Sequence, residues 1–488
     1  MKKISKKLFL ILMVFSGCEA NKGIPPDLTI DAPATQFTAV QVESVVQAAA
    51  LAIDGTAQTI AGVDRAGNPL AVFAKPAATA QAQELALSVA RTAAFFSNDQ
   101  APLSSRTVGY ISRDHFPPGI ANTASGALFG IEHTNRGCSL NAVFLAGQDI
   151  TPATTVAGAS PGVGVTVTPG GVPLYIDGRV VGGVGVAGVS EAAAEFAAFS
   201  GLALFPPTVA EPGVIFIDGI ELPFVKQTSR PAGFAAGAFV GAYTVAPIAG
   251  SEPPTGDLVA IIDSPTADDP KLLAADVETI LDAAEAASNR TRAAIRLPLG
   301  QRAKMAMAVT DLEGNILGLR RMRDSTVFSL DVAVAKARNV TYFSGAGVDV
   351  ADQIPGLPAG TAYTNRTIGF SSQPFFPSGI NDTDPGPLRE LFEFDEANPC
   401  TQGREPANAN QNGIVFFPGS SPLYKEDGAG NRVLVGGLGV SGDGVEQDDY
   451  VTAQAIDGYQ APSDIRADQY VFGDVRLPYF KFPRNPEE

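Results

Sequence analysis

A chain of 488 residues, 45% of them apolar, fits two or three domains with real cores and is too long for one ordinary domain. Only 17% of residues are charged, while 51 are glycine and 37 proline, which excludes a long-helix protein and points to many turns and ordered loops. The net charge of −17 repels phosphate backbones and anionic lipid, and so argues against nucleic-acid binding.

The chain opens with a basic stretch, Met1–Lys7, then a short apolar run, Leu8–Phe15, then Ser16-Gly17-Cys18. This pattern predicts a signal peptide over residues 1–18, too short to span a bilayer as a mature helix. Small residues directly before a cysteine resemble the bacterial lipobox, which implies lipidation at Cys18. Phe15 stands where that pattern usually has leucine. With Glu19 next, resemblance to lipoprotein sorting implies the outer membrane. The other reading is a plain secretory peptide with a stray thiol. Residues 19–26 would be a tether. The expected location is the cell envelope, lipid-anchored or secreted into the periplasm or beyond.

The body reads as one module written twice. Arg106-Thr-Val-Gly-Tyr through Phe116-Pro-Pro-Gly-Ile120 returns as Arg366-Thr-Ile-Gly-Phe through Phe376-Pro-Ser-Gly-Ile380 with the same internal spacing. Earlier, Asp27–Pro33 is echoed by Asp257–Pro265. Helices with apolar residues at helical spacing follow at 37–53 and 272–287. Each leads to a hairpin with a Gly-Asn turn, Gly67-Asn68 or Gly314-Asn315, preceded by Asp64 or Asp311. Second helices are expected at 84–96 and 330–343, each with a mid-helix base, Arg91 or Lys336. Long Gly/Asn/Pro-rich loops follow the Arg-Thr signature, over 121–169 and 381–418. Each closes on Pro-Gly and enters a strand pair ending in Gly182-Gly183-Val-Gly-Val-Ala-Gly188 or Gly436-Gly437-Leu-Gly-Val-Ser-Gly442. Third helices and a last echo, Ile217–Phe224 against Phe472–Tyr479, complete the copies. The repeats are placed at 27–227 and 257–488, with 228–256, rich in Gly, Ala and Pro, as the linker.

This order of helix, Asp-x-x-Gly-Asn hairpin, helix, Pro-Gly, strand, Gly-Gly-x-Gly-Val-x-Gly and helix resembles the haem-binding GlcG/HbpS-like family, which is similar to the C-terminal domain of PduO-type proteins. The resemblance implies an α+β fold: two tandem profilin-like domains, each a mainly antiparallel sheet packed with helices, arranged as a pseudo-dimer. It also implies oligomerisation and a haem or corrinoid ligand. Two departures stand out. Glu446, Asp448 and Asp449 follow the glycine motif in the second repeat but are largely lost in the first, and the long loops are unlike compact members.

The candidate site residues lie in those loops. His115 and His133 are the two histidines of the chain, both in the first repeat. They are candidate iron or metal ligands, or else surface-loop histidines. Arg106 and Arg366 would hold an anionic group such as a haem propionate, or organise their loops through a carboxylate. Phe116 and Phe376 would line an apolar pocket or anchor the loops. Cys138 and Cys400, at matching places in the copies, would form a disulfide stapling the repeats, or remain two buried thiols. The glycine runs lack the Lys-Ser/Thr of a phosphate loop and are expected to pack strand against helix. No nucleophile has a visible base, so an enzyme is not expected.

The expected function is non-covalent binding of haem or a related tetrapyrrole at the cell envelope. The alternative is a structural or protein-interaction module, engaging an envelope protein, that has lost its ligand.

Overall fold

The computed structural model describes residues 36–99, 101–138, 164–208, 216–217, 220–222, 227–294 and 301–488. The leader with Cys18, the tether and the Asp27–Pro33 echo lie outside the described residues.

The first repeat contains α1 (Ala39–Ala52), β1 (Thr59–Asp64), β2 (Pro69–Ala74), α2 (Ala80–Phe96), α3 (Ser105–Tyr110), β3 (Gly171–Ile176), β4 (Arg179–Ala187), α4 (Glu191–Leu202), β5 (Phe216–Ile217) and β6 (Ile220–Glu221). After β7 (Ala242–Val245), the second contains β8 (Gly256–Asp257), α5 (Ala274–Arg290), β9 (Ala306–Thr310), β10 (Ile316–Arg321), α6 (Ser329–Phe343), α7 (Asn365–Ser371), α8 (Arg389–Ala397), β11 (Ser420–Glu426), β12 (Arg432–Ser441), α9 (Val445–Ala455), β13 (Val471–Phe472) and β14 (Val475–Arg476).

Each repeat builds an antiparallel five-stranded sheet, in the orders β3-β4-β1-β2-β7 and β11-β12-β9-β10-β8. The fold is therefore two α+β units of the same layout. The stretch 228–256, expected to be a linker, does not pass as a free connection. Its β7 forms the edge of the first sheet against β2, with Phe73 opposite Tyr243. The many Gly and Ala residues around it hid the strand, because an edge needs only backbone and a few apolar contacts such as Phe73 on Phe239.

α1 starts on a capping box: Gln41 N–H donates to Thr38 Oγ1 and Thr38 N–H to Gln41 Oε1. Its buried residues Val42, Val45, Val46 and Ala49 pack with α4 on one face of the sheet. α2 covers the other face. In the second repeat α5 and α9 share one face and α6 covers the other.

The glycine motifs allow close helix–strand approach. A Cβ at Gly185 would sit 2.1 Å from the Ala86 carbonyl, and one at Gly439 2.0 Å from that of Ala333. The Asp-x-x-Gly-Asn turns are tied the same way in both copies. Asp64 Oδ1 accepts from the Ala66 and Asn68 N–H groups, and Asp311 Oδ1 from those of Glu313 and Asn315. Arg91 Nε donates to Gly67 O at 2.8 Å, and Arg338 Nε to Gly314 O at 2.9 Å. Burial pulls both guanidinium groups down to about 10. The structural counterpart of Arg91 is thus Arg338, not Lys336; two residues earlier, Lys336 stands where the first repeat has Val89.

The end of α2 meets the start of α6, and the two repeats share one core. Phe95, Phe96 and Leu103 of the first pack with Phe328, Leu330 and Phe417 of the second. Phe96 and Phe328 rings lie 4.5 Å apart, and Arg65 pairs with Asp324 at 3.3 Å. Among the described residues no helix is long and apolar enough to cross a membrane.

Candidate ligand-binding site

The Arg-Thr signature forms α3 and α7. Ser104 Oγ and Thr364 Oγ1 cap them by accepting from the N–H groups of Thr107 and Thr367. The caps set Arg106 and Arg366 on matching turns. Arg106 makes a two-pronged ion pair with Glu195 of α4, at 2.7 and 2.9 Å. Arg366 pairs with Asp449 of α9, which also accepts from Gly419 and Lys481 N–H. Both arginines therefore clamp loop to helix, and Arg106 does not reach the cleft described below. Glu195 also means that the acidic tail is not wholly lost in the first repeat: it occupies the place of Asp449.

Phe116 and Phe376, each 9% exposed, anchor their loops. Phe116 meets Tyr110 edge-on, and Phe376 meets Phe370 and Phe472. Neither lines the cleft.

The histidines are not brought together. His115 stacks on Phe375 with centroids 5.2 Å apart, and its Nδ1 lies 2.7 Å from Thr123 O. His133, 7% exposed, has Nδ1 2.7 Å from Asp395 Oδ2 and packs on Phe392 and Phe416. Arg136 binds the same carboxylate and the Asp395 carbonyl. Cys138 is joined to Cys400 beside this cluster, with Cα atoms 5.3 Å apart. His133, Arg136 and Cys138 thus dock the first repeat's loop on α8 of the second. Among the described residues no group of His, Cys, Asp and Glu is arranged to hold a metal. Both expected iron ligands stand at the contact between the repeats, His115 on Phe375 and His133 on Asp395.

A cleft of about 640 Å³ opens between the repeats. Residues 124–129 of the first repeat form one wall. Phe96, Phe328, Phe370, Phe416 and Phe417 supply apolar surface. Arg366, Glu446, Asp448 and Lys481 stand at its charged end. Behind them is Lys336, fully buried, whose Nζ donates to Val440 O at 2.7 Å and Asp448 Oδ2 at 3.1 Å and lies 5.0 Å from the Phe417 ring centroid.

Burial dominates the electrostatics here. It raises Asp448 to about 7 against the opposing pull of Lys336, lowers Lys336, and raises Asp449 despite Arg366. Two buried atoms at this end, Asp448 Oδ1 and Arg366 Nη2, have no hydrogen-bond partner. Lys336 and Asp448 lie 112 residues apart, so their pairing has no local sign in the sequence. The available signal was a lysine in the middle of a core helix, which needs an acid from elsewhere in the fold.

The family model described as "Haem degrading protein HbpS-like" matches residues 35–203 and 276–457. No curated protein sequence matches the chain. Among solved structures, the chain is similar to a PduOC:heme complex, at 19% identity and a TM-score of 0.25, covering 40% of this chain and 98% of that one. It is similar to the Klebsiella pneumoniae protein ORFY at 21% identity and a TM-score of 0.24, covering 39% and 90%. A double mutant of Streptomyces reticuli HbpS matches at 20% identity and a TM-score of 0.22, covering 36% and 89%. With most of its length matched in two successive regions, the chain belongs to the HbpS-like family, as a tandem repeat of its domain.

Proposed function

We propose that the protein binds haem or a related tetrapyrrole non-covalently in the cleft between its repeats, at the cell envelope. The observation that carries this reading is the cleft itself. Its volume of about 640 Å³ falls within the usual range for small-molecule sites, about 300–1,000 Å³. Its walls carry several phenylalanine rings beside a charged cluster of Arg366, Glu446, Asp448 and Lys481, which suits a flat apolar body with charged substituents. Family membership supports the same ligand class.

The residues fit the ring and its acid groups. They do not fit histidine ligation, since no histidine is among the described lining residues. The aromatic walls would hold the macrocycle and exclude water, while Arg366 and Asp448 would meet its acid groups. A bound iron would supply redox chemistry, and we read the protein as a binder of that group. The Cys138–Cys400 bridge and the leader-like N-terminus support an oxidising, extracytoplasmic setting.

Titration of the mature protein with hemin, followed by its Soret band, tests the reading. Saturable binding that survives His115→Ala and His133→Ala is expected. Absence of any saturable shift overturns it in favour of an interaction module without ligand.

A further inference from the structure

We propose that Asp448 and Arg366 together form a receptor for a carboxyl group of the cleft's ligand, an inference that rests on the ligand reading above. Both residues line the cleft, and each carries a buried polar atom without a partner, Oδ1 on Asp448 and Nη2 on Arg366. Asp448 is 3% exposed. Leaving such atoms unpaired is unfavourable, and a ligand supplying the missing partners would relieve it. Arg366 Nη2 can only donate. A carboxyl oxygen beside it would accept that bond, and its second oxygen would share a proton with Asp448 Oδ1.

The charges of the cluster dictate how the proton behaves. Lys336 of α6 and Arg366 of α7 face Asp448 and Asp449 of α9, so the inner group is neutral when all four are ionised. Asp443 lies in the turn before α9 and disfavours ionised Asp448, while Glu446 is paired with Lys481 at the mouth. A ligand carboxylate adds one buried negative charge. Proton uptake by Asp448 cancels it, and burial already holds that acid up to about 7. No covalent bond is made or broken; one proton enters with the ligand. Binding is therefore tighter on the acid side of neutrality.

The first repeat lacks this arrangement. At Gly170 the neighbouring side chain is Ala194, where Gly419 has Asp448, and Val89 replaces Lys336. The receptor belongs to the second repeat alone.

The test compares hemin with hemin dimethyl ester, whose carboxyls are blocked, on the full mature chain. Wild-type affinity for hemin should fall roughly tenfold between about pH 6 and about pH 8. Asp448→Asn keeps an acceptor for Lys336 and should bind hemin with that pH dependence lost. The ester should bind more weakly than hemin at the lower pH and show no such dependence. Circular dichroism of Asp448→Asn confirms its fold, and Glu278→Gln on the exposed side of α5, outside the cleft, should keep the wild-type profile. Saturable hemin binding with the same pH profile in wild type and Asp448→Asn, or equal binding of the ester, overturns this proposal and leaves the ligand reading standing. No hemin binding at any pH overturns both.

Discussion

His115 and Phe375 stack on one another across the contact between the repeats, and they are the same position in the two copies of the Arg-Thr signature. Equivalent positions meet only near a twofold axis. Nearby, Asn122 N–H donates to Asn381 Oδ1 and Asn381 N–H to Asn122 Oδ1, which gives the contact its reciprocity. The chain is thus a dimer written as one polypeptide, and its first-repeat histidines serve that contact.

The histidines should therefore affect stability and not ligand. His133→Ala removes one partner of the buried Asp395, which keeps Arg136, and should cost about 1–3 kcal/mol in denaturant unfolding. His115→Ala should cost about 0.5–1.5 kcal/mol, the worth of a stacked ring pair. Neither histidine lines the cleft, so both variants should still bind hemin saturably.

The disulfide spans a sequence separation of 262 residues. Its removal, by reductant or by Cys138→Ser with Cys400→Ser, should lower stability by about 2–5 kcal/mol. Mass measurement with and without reductant checks that the bond is present. A two-thiol mass in the unreduced protein would contradict it.

Gly439 meets the Ala333 carbonyl so closely that any Cβ must push α6 off the sheet. Gly439→Ala should cost about 1–3 kcal/mol, and Gly439→Val more. The same substitution at Gly428, which has nothing within 4 Å, is the control and should be nearly silent. Thermal melting distinguishes them.

The buried acids fix the sign of a pH effect. Asp448 is raised from its ordinary value of 3.8 to about 7, so between these values the folded state holds a proton that the unfolded state has lost. Stability from this group is full below the lower value and falls as pH rises through the window. Asp449, also raised, acts in the same direction. Lys336, lowered from 10.5, acts oppositely. Asp448→Asn should therefore flatten, without abolishing, the fall in denaturation midpoint between about pH 4 and about pH 7.

Much of the fold was legible because the chain repeats itself. Hairpin turns, helix faces and the glycine strands each occur twice, and local chemistry fixes each of them. The site was less legible. Which carboxylate Arg106 or Arg366 would take, Glu195 or Asp449, depends on how α3 packs on α4 and α7 on α9, some 80 to 90 residues further along. The cleft is built from both repeats, with residues 124–129 facing Phe416 and Asp448, so no single stretch announces it. The histidines drew attention by their scarcity, but scarcity carries no geometry.

Ala127 lines the cleft in the first-repeat wall. Hemin titration of the wild type beside Ala127→Trp, read at the Soret band, tests the central claim most directly. The account predicts saturable binding by the wild type and its loss when the indole fills the cleft of a still-folded protein. Binding of equal strength by both, or by neither, would contradict it.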